Sequence, residues 1–330
     1  MINVLSCFDG ISCGQIALER AGIKVNNYFA SEIDKNAIKV TQHNYPNTVQ
    51  LGSVINVKAE NLPKIDLLIG GSPCQGFSFA GKQLNFKDLR SKLFFEYVRL
   101  LKELNPKHFL LENVRMKQEY QDIISDCLGV KPILINSADF CPQSRERLYW
   151  TSIPINDTRY SNNTFLCDIL EQGVDDKYLL INNYKLKTLK SLKSRIQVLS
   201  ENYRDNHKIN QNKPVLVSEV INDTPSGRSR QTDRLYSSKS KCPTLLANRA
   251  CDLKIDDNSK IIDNWRTLTP IECERLQTVP ENYTSCIKDA ARYKLLGNGW
   301  TVDVIAHVLS LQVLNNEGAI SEKSSSMPRF

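Results

Sequence analysis

Ile65-Asp66-Leu67-Leu68-Ile69-Gly70-Gly71-Ser72-Pro73-Cys74-Gln75 is the stretch on which the reading of this chain turns. Its first part is short and apolar and ends at two glycines. That pattern predicts a buried strand whose C-terminal end breaks into a loop. In open α/β sheets ligands bind outside the C-terminal ends of the strands. A cysteine there, with a proline fixing the approach of the backbone, has the setting of a nucleophile. The competing reading is a free buried thiol.

The same texture extends on both sides. Strands are predicted at Val4–Phe8, Asn27–Glu32, Ile65–Ile69, His108–Val114 and Leu148–Ile153. Between them lie helical patterns at Gly14–Ala21, Asp34–Tyr45, Ser91–Leu104 and Gln118–Leu128. Strict alternation of strand and helix implies a parallel sheet with helices on both faces. After Pro154 the chain becomes rich in Asn, Asp, Lys and Ser and reads as a second, smaller and less regular domain over 155–265. Regular pattern returns near Trp265. Thr269 and Pro270 mark a helix start before Ile271–Gln277, as N-cap and first-turn proline. Leu295–Gly299 reads as a tight turn, Val302–Leu314 as an apolar helix, and 317–330 as a disordered tail.

Composition bounds the function. The 330 residues are 41% hydrophobic and 24% charged, ordinary for a soluble globular protein. No apolar run is long enough to span a bilayer, and the N-terminus has no secretory pattern. The ten cysteines make no CxxC pair and no Cys/His zinc spacing, so reduced thiols and no metal site are expected. Net charge is +7, and it is concentrated. Residues 183–213 carry eight Lys and Arg against Glu201 and Asp205. Residues 226–249 carry Arg228, Arg230, Arg234, Lys239, Lys241 and Arg249 against Asp233. These stretches suit phosphate contacts, or are solvated faces.

Further polar groups fall at strand ends. The first strand runs into Cys7-Phe8-Asp9-Gly10-Ile11-Ser12-Cys13-Gly14, a glycine-bearing turn before a helix. It is not GxGxxG, so a dinucleotide reading is weak. Glu32 ends the second strand, where an acidic side chain suits a pair of ribose hydroxyls. Glu112 ends the apolar run Phe109–Val114 and needs a partner to offset desolvation. Arg145, in Gln143-Ser144-Arg145-Glu146-Arg147, is the natural candidate. Arg145 and Arg147 alternate and so are expected on one face of an extended segment.

Taken together these residues resemble the DNA (cytosine-5) methyltransferases, in motif order and over nearly the whole chain. Phe8-Asp9-Gly10 resembles the cofactor loop, Pro73-Cys74-Gln75 the nucleophile motif, and Glu112-Asn113-Val114 the base-holding motif. Gln143-x-Arg145-x-Arg147 is similar to the family's QxRxR. Arg266, Leu268, Thr269, Glu272, Arg275, Leu276 and Gln277 resemble the helix that braces the recognition domain. Thr244-Leu245 resembles its Thr-Leu pair, and Gly297-Asn298-Gly299 the final motif. Ser12-Cys13 stand where two glycines are usual, so the first loop is more like that of the animal de novo enzymes. Ser53 stands in place of an aspartate that contacts adenine.

The resemblance implies an S-adenosylmethionine (SAM)-dependent methyltransferase with a Rossmann-like, mostly parallel sheet. It implies a discontinuous catalytic domain, 1–154 with 266–316, and a target-recognition domain over 155–265. Methyl transfer to carbon 5 of cytosine in duplex DNA would use Cys74 as nucleophile and Glu112, Gln143, Arg145 and Arg147 around the base, leaving S-adenosylhomocysteine. Phe8, Asp9, Gly10, Ile11, Glu32, Ile33, Ser53, Pro73, Asn298 and Gly299 would meet the cofactor. Gln75, Ser78, Lys82, Arg90, Arg228, Arg230, Arg234, Thr244 and Arg249 are the candidates for DNA, with 76–92 a loop that closes on a flipped base. A compact, cytoplasmic enzyme of bacterial or phage type, monomeric on DNA and paired or not with a restriction endonuclease, is the expectation. The alternatives are a tRNA cytosine-5 methyltransferase and a non-catalytic DNA-binding relative.

Overall fold

The computed structural model describes residues 1–73, 89–155, 162–179, 196–198, 213–214, 216–220, 234–247, 253–256 and 265–311. Within these ranges the side chains of 89–91, 196–198, 216–220, 234, 254, 256 and 265 are not described. The predicted tail, the loop 76–88 and most of both basic stretches lie outside the described residues. The chain divides into two compact units. The first comprises 1–136, 146–158 and 300–330, the second 137–145 and 159–299.

The first unit is an α/β layer structure. Its elements are β1 (Ile2–Cys7), α1 (Cys13–Arg20), β2 (Val25–Ser31), α2 (Lys35–Asn44), β3 (Val49–Gln50), β4 (Leu67–Gly71), α3 (Leu89–Leu104), β5 (His108–Val114), α4 (Gln118–Leu128) and β6 (Ile133–Asn136). After β7 (Gln143–Ser144), which belongs to the second unit, β8 (Glu146–Thr151) completes a seven-stranded sheet. The strand order is β3-β2-β1-β4-β5-β8-β6. The chain winds outward from β1 in both directions, so the strand order reverses between β1 and β4, and the crevice outside their C-terminal ends is where such folds take ligands.

The expected strand 148–153 is β8, and it runs antiparallel to both β5 and β6. A parallel return needs a crossover of about a dozen residues or more. Only the nine residues 137–145 separate β6 from β8, so the chain must double back. The pairs among β1 to β5 are parallel. Helices cover both faces. A Cβ on Gly70 would meet the ring of Tyr97 in α3 at 3.0 Å, while Ile69, which points the other way, comes within 2.5 Å of where Gly14 of α1 would carry one. Leu5, Leu68, Phe94, Tyr97, Leu111 and Trp150 lie in the core under α3 and α4.

The second unit carries β9 (Ile196–Val198), β10 (Leu216–Val220), β11 (Arg234–Ser237), β12 (Cys242–Pro243), β13 (Lys254–Asp256) and β14 (Trp265–Thr267). Five of these form a mixed sheet, β14-β13-β11-β10-β9, and β12 pairs with β7. α5 (Pro270–Leu276) begins as the sequence predicts. The Thr269 side chain accepts from Glu272 N, the Glu272 side chain accepts from Thr269 N, and Pro270 opens the helix. The expected turn at Leu295–Gly299 is instead largely the end of a helix, α6 (Asp289–Asn298). Gly297 is a glycine for a different reason, close packing: a Cβ there would lie 2.5 Å from Ala247 N. A last helix, α7, spans 302–311 in the first unit.

Candidate active site

The loop after β1 bends through three left-handed residues, Phe8 (φ 58°), Gly10 (φ 60°) and Ser12 (φ 61°). Two of them are not glycine, a conformation costing about 1–3 kcal/mol each and found where function requires it. Asp9 holds the loop. Ser12 Oγ donates to its Oδ2 at 2.6 Å and the Tyr28 hydroxyl, from β2, to its Oδ1 at 2.8 Å. Burial raises the Asp9 carboxyl from its ordinary 3.8 to about 6.

Glu32 follows β2 and faces this loop. Its Oε2 accepts from Gly10 N at 2.8 Å, and Oε1 from Ile33 N at 2.6 Å and Asp34 N at 2.8 Å. Anchored this way, the carboxylate keeps lone pairs for a diol. Ile33 beside it is 73% exposed, much for a large apolar side chain, and among the described residues no atom beyond its chain neighbours lies within 4 Å of a Cβ placed on Gly10. An open backbone, a fixed carboxylate and an uncovered apolar wall suit a nucleoside with a vicinal diol. Ile11 is buried, so any ligand contact there is with its backbone. Phe8 is half-buried against the core. Ser53 precedes a 3-10 turn in extended conformation. Asn298, which is exposed, and Gly299 close α6 in the second unit.

On the other side of β1, β4 delivers Ser72 and Pro73. Gly71 pairs with Glu112 across to β5, three residues before Cys74. Asn113 ties down the stem, its Nδ2 donating to Ser72 Oγ at 3.1 Å. Cys74 itself, with Gln75, Ser78 and Lys82, lies outside the described residues. Arg90 is on α3, with its side chain not described.

Glu112 is buried, and its partner is Arg147, whose Nε lies 3.0 Å from Oε1. This corrects the expectation that Arg145 pairs with Glu112. In the β5–β8 register Glu112 stands opposite Tyr149, so Arg147 is its diagonal neighbour on the same face. Arg145 precedes β8 and goes elsewhere, so the two arginines do not act from one face. Its guanidinium donates to the carbonyls of Leu245 (3.2 Å), Gly297 (3.2 Å) and Gly299 (3.0 Å). Gln143 has the same surroundings. It donates to Leu276 O at 3.0 Å, and its Oε1 accepts from Leu245 N at 3.0 Å. Thr244 Oγ1 donates to Ser144 O at 2.8 Å. Gln143 and Arg145 thus fasten the segment 244–247 inside the second unit.

Of the remaining DNA candidates, Arg228, Arg230 and Arg249 lie outside the described residues, and Arg234 is on β11 with its side chain not described. One residue of the site was missed. Trp300 Nε1 donates to Glu112 Oε2 at 3.1 Å. The signal available was an aromatic residue directly after Gly297-Asn298-Gly299.

The profile of the C-5 cytosine-specific DNA methylase family matches residues 2–311, and the chain belongs to that family. It is 30% identical to the type II methyltransferase M1.ScrFI of Lactococcus lactis subsp. cremoris over 94% of this chain and 78% of that protein. It is 32% identical to the orphan methyltransferase M.SPRI of Bacillus phage SPR over 77% of this chain and 66% of that protein. The Entamoeba histolytica methyltransferase EhMeth shares the fold, with a TM-score of 0.68 at 18% identity, covering 94% of this chain and 97% of that one.

Proposed function

We propose that this member of the family transfers a methyl group from SAM to carbon 5 of cytosine within one short sequence of duplex DNA, through a covalent Cys74 adduct on a flipped-out base. The observation that carries the reading is Glu112, held by Arg147 across from Gly71, with Cys74 three residues further along the chain. Three extended residues reach at most about 10 Å. That reach is compatible with a nucleophile and a base-holding carboxylate serving the same base, which is what the proposal requires.

Carbon 5 of cytosine is a weak nucleophile. The Cys74 thiolate adds to carbon 6, and the ring electrons move to carbon 5. Glu112 shares a proton with N3 and so offsets the charge arriving in the ring. When bound, SAM supplies an electrophilic methyl on a sulfonium. Carbon 5 takes the methyl, its proton passes to a base or water, the double bond re-forms and the thiolate departs. Glu32 holds the ribose and Phe8 and Ile33 flank the adenine, with Asp9, Gly10, Ile11, Ser53 and Pro73 shaping that pocket; Asn298 and Gly299 are further candidates for contact with SAM.

Residues 1–154 and 266–316 form the catalytic domain in this reading, and 155–265 the target-recognition domain. Flipping costs a few kcal/mol in lost pairing and stacking. The loop 76–92 closes on the base, and Arg228, Arg230, Arg234, Thr244 and Arg249 contact DNA. The setting is the cytoplasm of a bacterium or phage-infected cell, with the enzyme acting as a monomer and any cognate endonuclease acting separately.

The test is transfer from labelled SAM to unmethylated duplex DNA by wild type and Cys74→Ser, with bisulfite mapping. Label at cytosine in one short sequence, reduced in the variant by about a thousandfold or more, is expected. Equal label in the variant overturns the role of Cys74. Label on tRNA in preference to DNA overturns the substrate.

A further inference from the structure

Among the described residues the Glu112 carboxylate has two donors, one on each oxygen. Arg147 Nε holds Oε1 at 3.0 Å and the Trp300 indole Nε1 holds Oε2 at 3.1 Å. The indole is wedged at the place where the strand order reverses. A Cβ on Gly71, at the end of β4, would lie 2.9 Å from the indole nitrogen and 3.1 Å from Glu112 Oε2. The far edge of the ring reaches α1, with Cζ3 3.7 Å from the Cβ position of Gly14. A side chain at Gly71 would close the gap through which the indole meets the carboxylate.

We propose that Trp300 is a positioning residue that fixes the plane of the Glu112 carboxylate for cytosine N3. This rests on the methyl-transfer reading above and deepens it. The terminal torsion of a glutamate is soft, and a single ion pair leaves the carboxylate free to turn about it. A second donor on the other oxygen removes that freedom. Proton sharing with N3 depends on such alignment, because groups must be held within about 0.5 Å of the productive geometry. Each oxygen keeps a lone pair, so both donors stay in place as the base arrives. The indole N–H is a donor only, so it aligns the carboxylate without competing for the proton that Glu112 shares.

The experiment uses the full chain and the same methyl-transfer assay. Trp300→Phe keeps a ring in the cradle and removes the N–H. It should lower kcat about tenfold, the usual consequence of losing one hydrogen bond to a charged group, while KM for SAM stays within about twofold. In a Glu112→Ala background, measured in single turnover, the same substitution should have no further effect, since there is no carboxylate left to align. Site-specific benzothienylalanine at 300, which exchanges only the N–H for sulfur, should reproduce the loss even if the phenylalanine variant folds poorly. A wild-type kcat in both variants, or an equal fractional loss with and without Glu112, overturns the proposal and leaves Trp300 as filler. A wild-type chain that transfers no methyl to DNA cytosine overturns the reading beneath it, and this inference falls with it.

Discussion

Asp9 is the residue at which fold and chemistry conflict most directly. It is half-buried, its side chain holds the left-handed Ser12, and its carboxyl is raised to about 6, first by desolvation and with Glu32 adding to the rise. The folded chain therefore binds this proton more tightly than the unfolded chain does. The stability linked to it is full below the ordinary value of 3.8 and is lost as pH rises through about 6. At pH 8 the folded protein carries this poorly solvated charge at a cost of about 3 kcal/mol, of which about 1.5 kcal/mol develops between pH 5 and pH 8. Asp9→Asn removes this dependence. Urea unfolding of both proteins at the two pH values should show the variant gaining on wild type by about that amount, and a gap that does not change with pH would refute it. The sequence marked Asp9 as a loop residue because it sits beside Gly10. It gave no sign of Tyr28, which reaches in from the next strand, because a contact of that kind depends on register. The two arginines failed for a related reason. Alternation predicts one face only while the strand is continuous, and the chain leaves β7 at Ser144 and starts β8 at Glu146, so Arg145 belongs to neither.

Elements were legible where their signals are local. Thr269, Pro270 and Glu272 announce α5 by cap, first-turn proline and capping box, and the helix starts where they place it. What they do not announce is that Glu272 also holds Arg266, with bonds of 2.8 and 2.6 Å and side-chain exposures of 0% and 2%. This is a buried ion pair built on a cap. Glu272→Ala removes the reciprocal cap and leaves a guanidinium without its carboxylate in the interior. The expected loss is about 3–5 kcal/mol, well above the roughly 1 kcal/mol of an ordinary cap. Thermal unfolding should show it as a large fall in Tm, with Thr269→Ala as the milder comparison. The direction of β8 and the helical state of Leu295–Asn298 were not legible. One is set by the length of a connection, and the other involves a glycine needed for packing against Ala247 and not for a turn.

At the scale of the whole molecule the question is what the positive charge is for. The net charge of +7 is modest for 330 residues, and the proposed attraction to DNA rests on its concentration in 183–213 and 226–249. If arginines there neutralise phosphates, each releases condensed counterions, and the logarithm of the binding constant falls with that of salt by about 0.9 per contact. Residues that read base edges behave differently, because they carry preference between sequences and little of the salt slope. Arg228 and Arg230 alternate in the chain and belong to the stretch richer in arginine, so they are the pair to replace. Titrating a duplex with wild type and with the Arg228→Ala, Arg230→Ala double variant between about 50 and 200 mM salt separates the two roles. The expected result is a slope shallower by about 2, with equal weakening on methylatable and unrelated duplexes, as phosphate contacts require. An unchanged slope with lost discrimination between the duplexes would make the same two residues readers of the target sequence, and the phosphate grip would then have to lie in the lysines of 183–213.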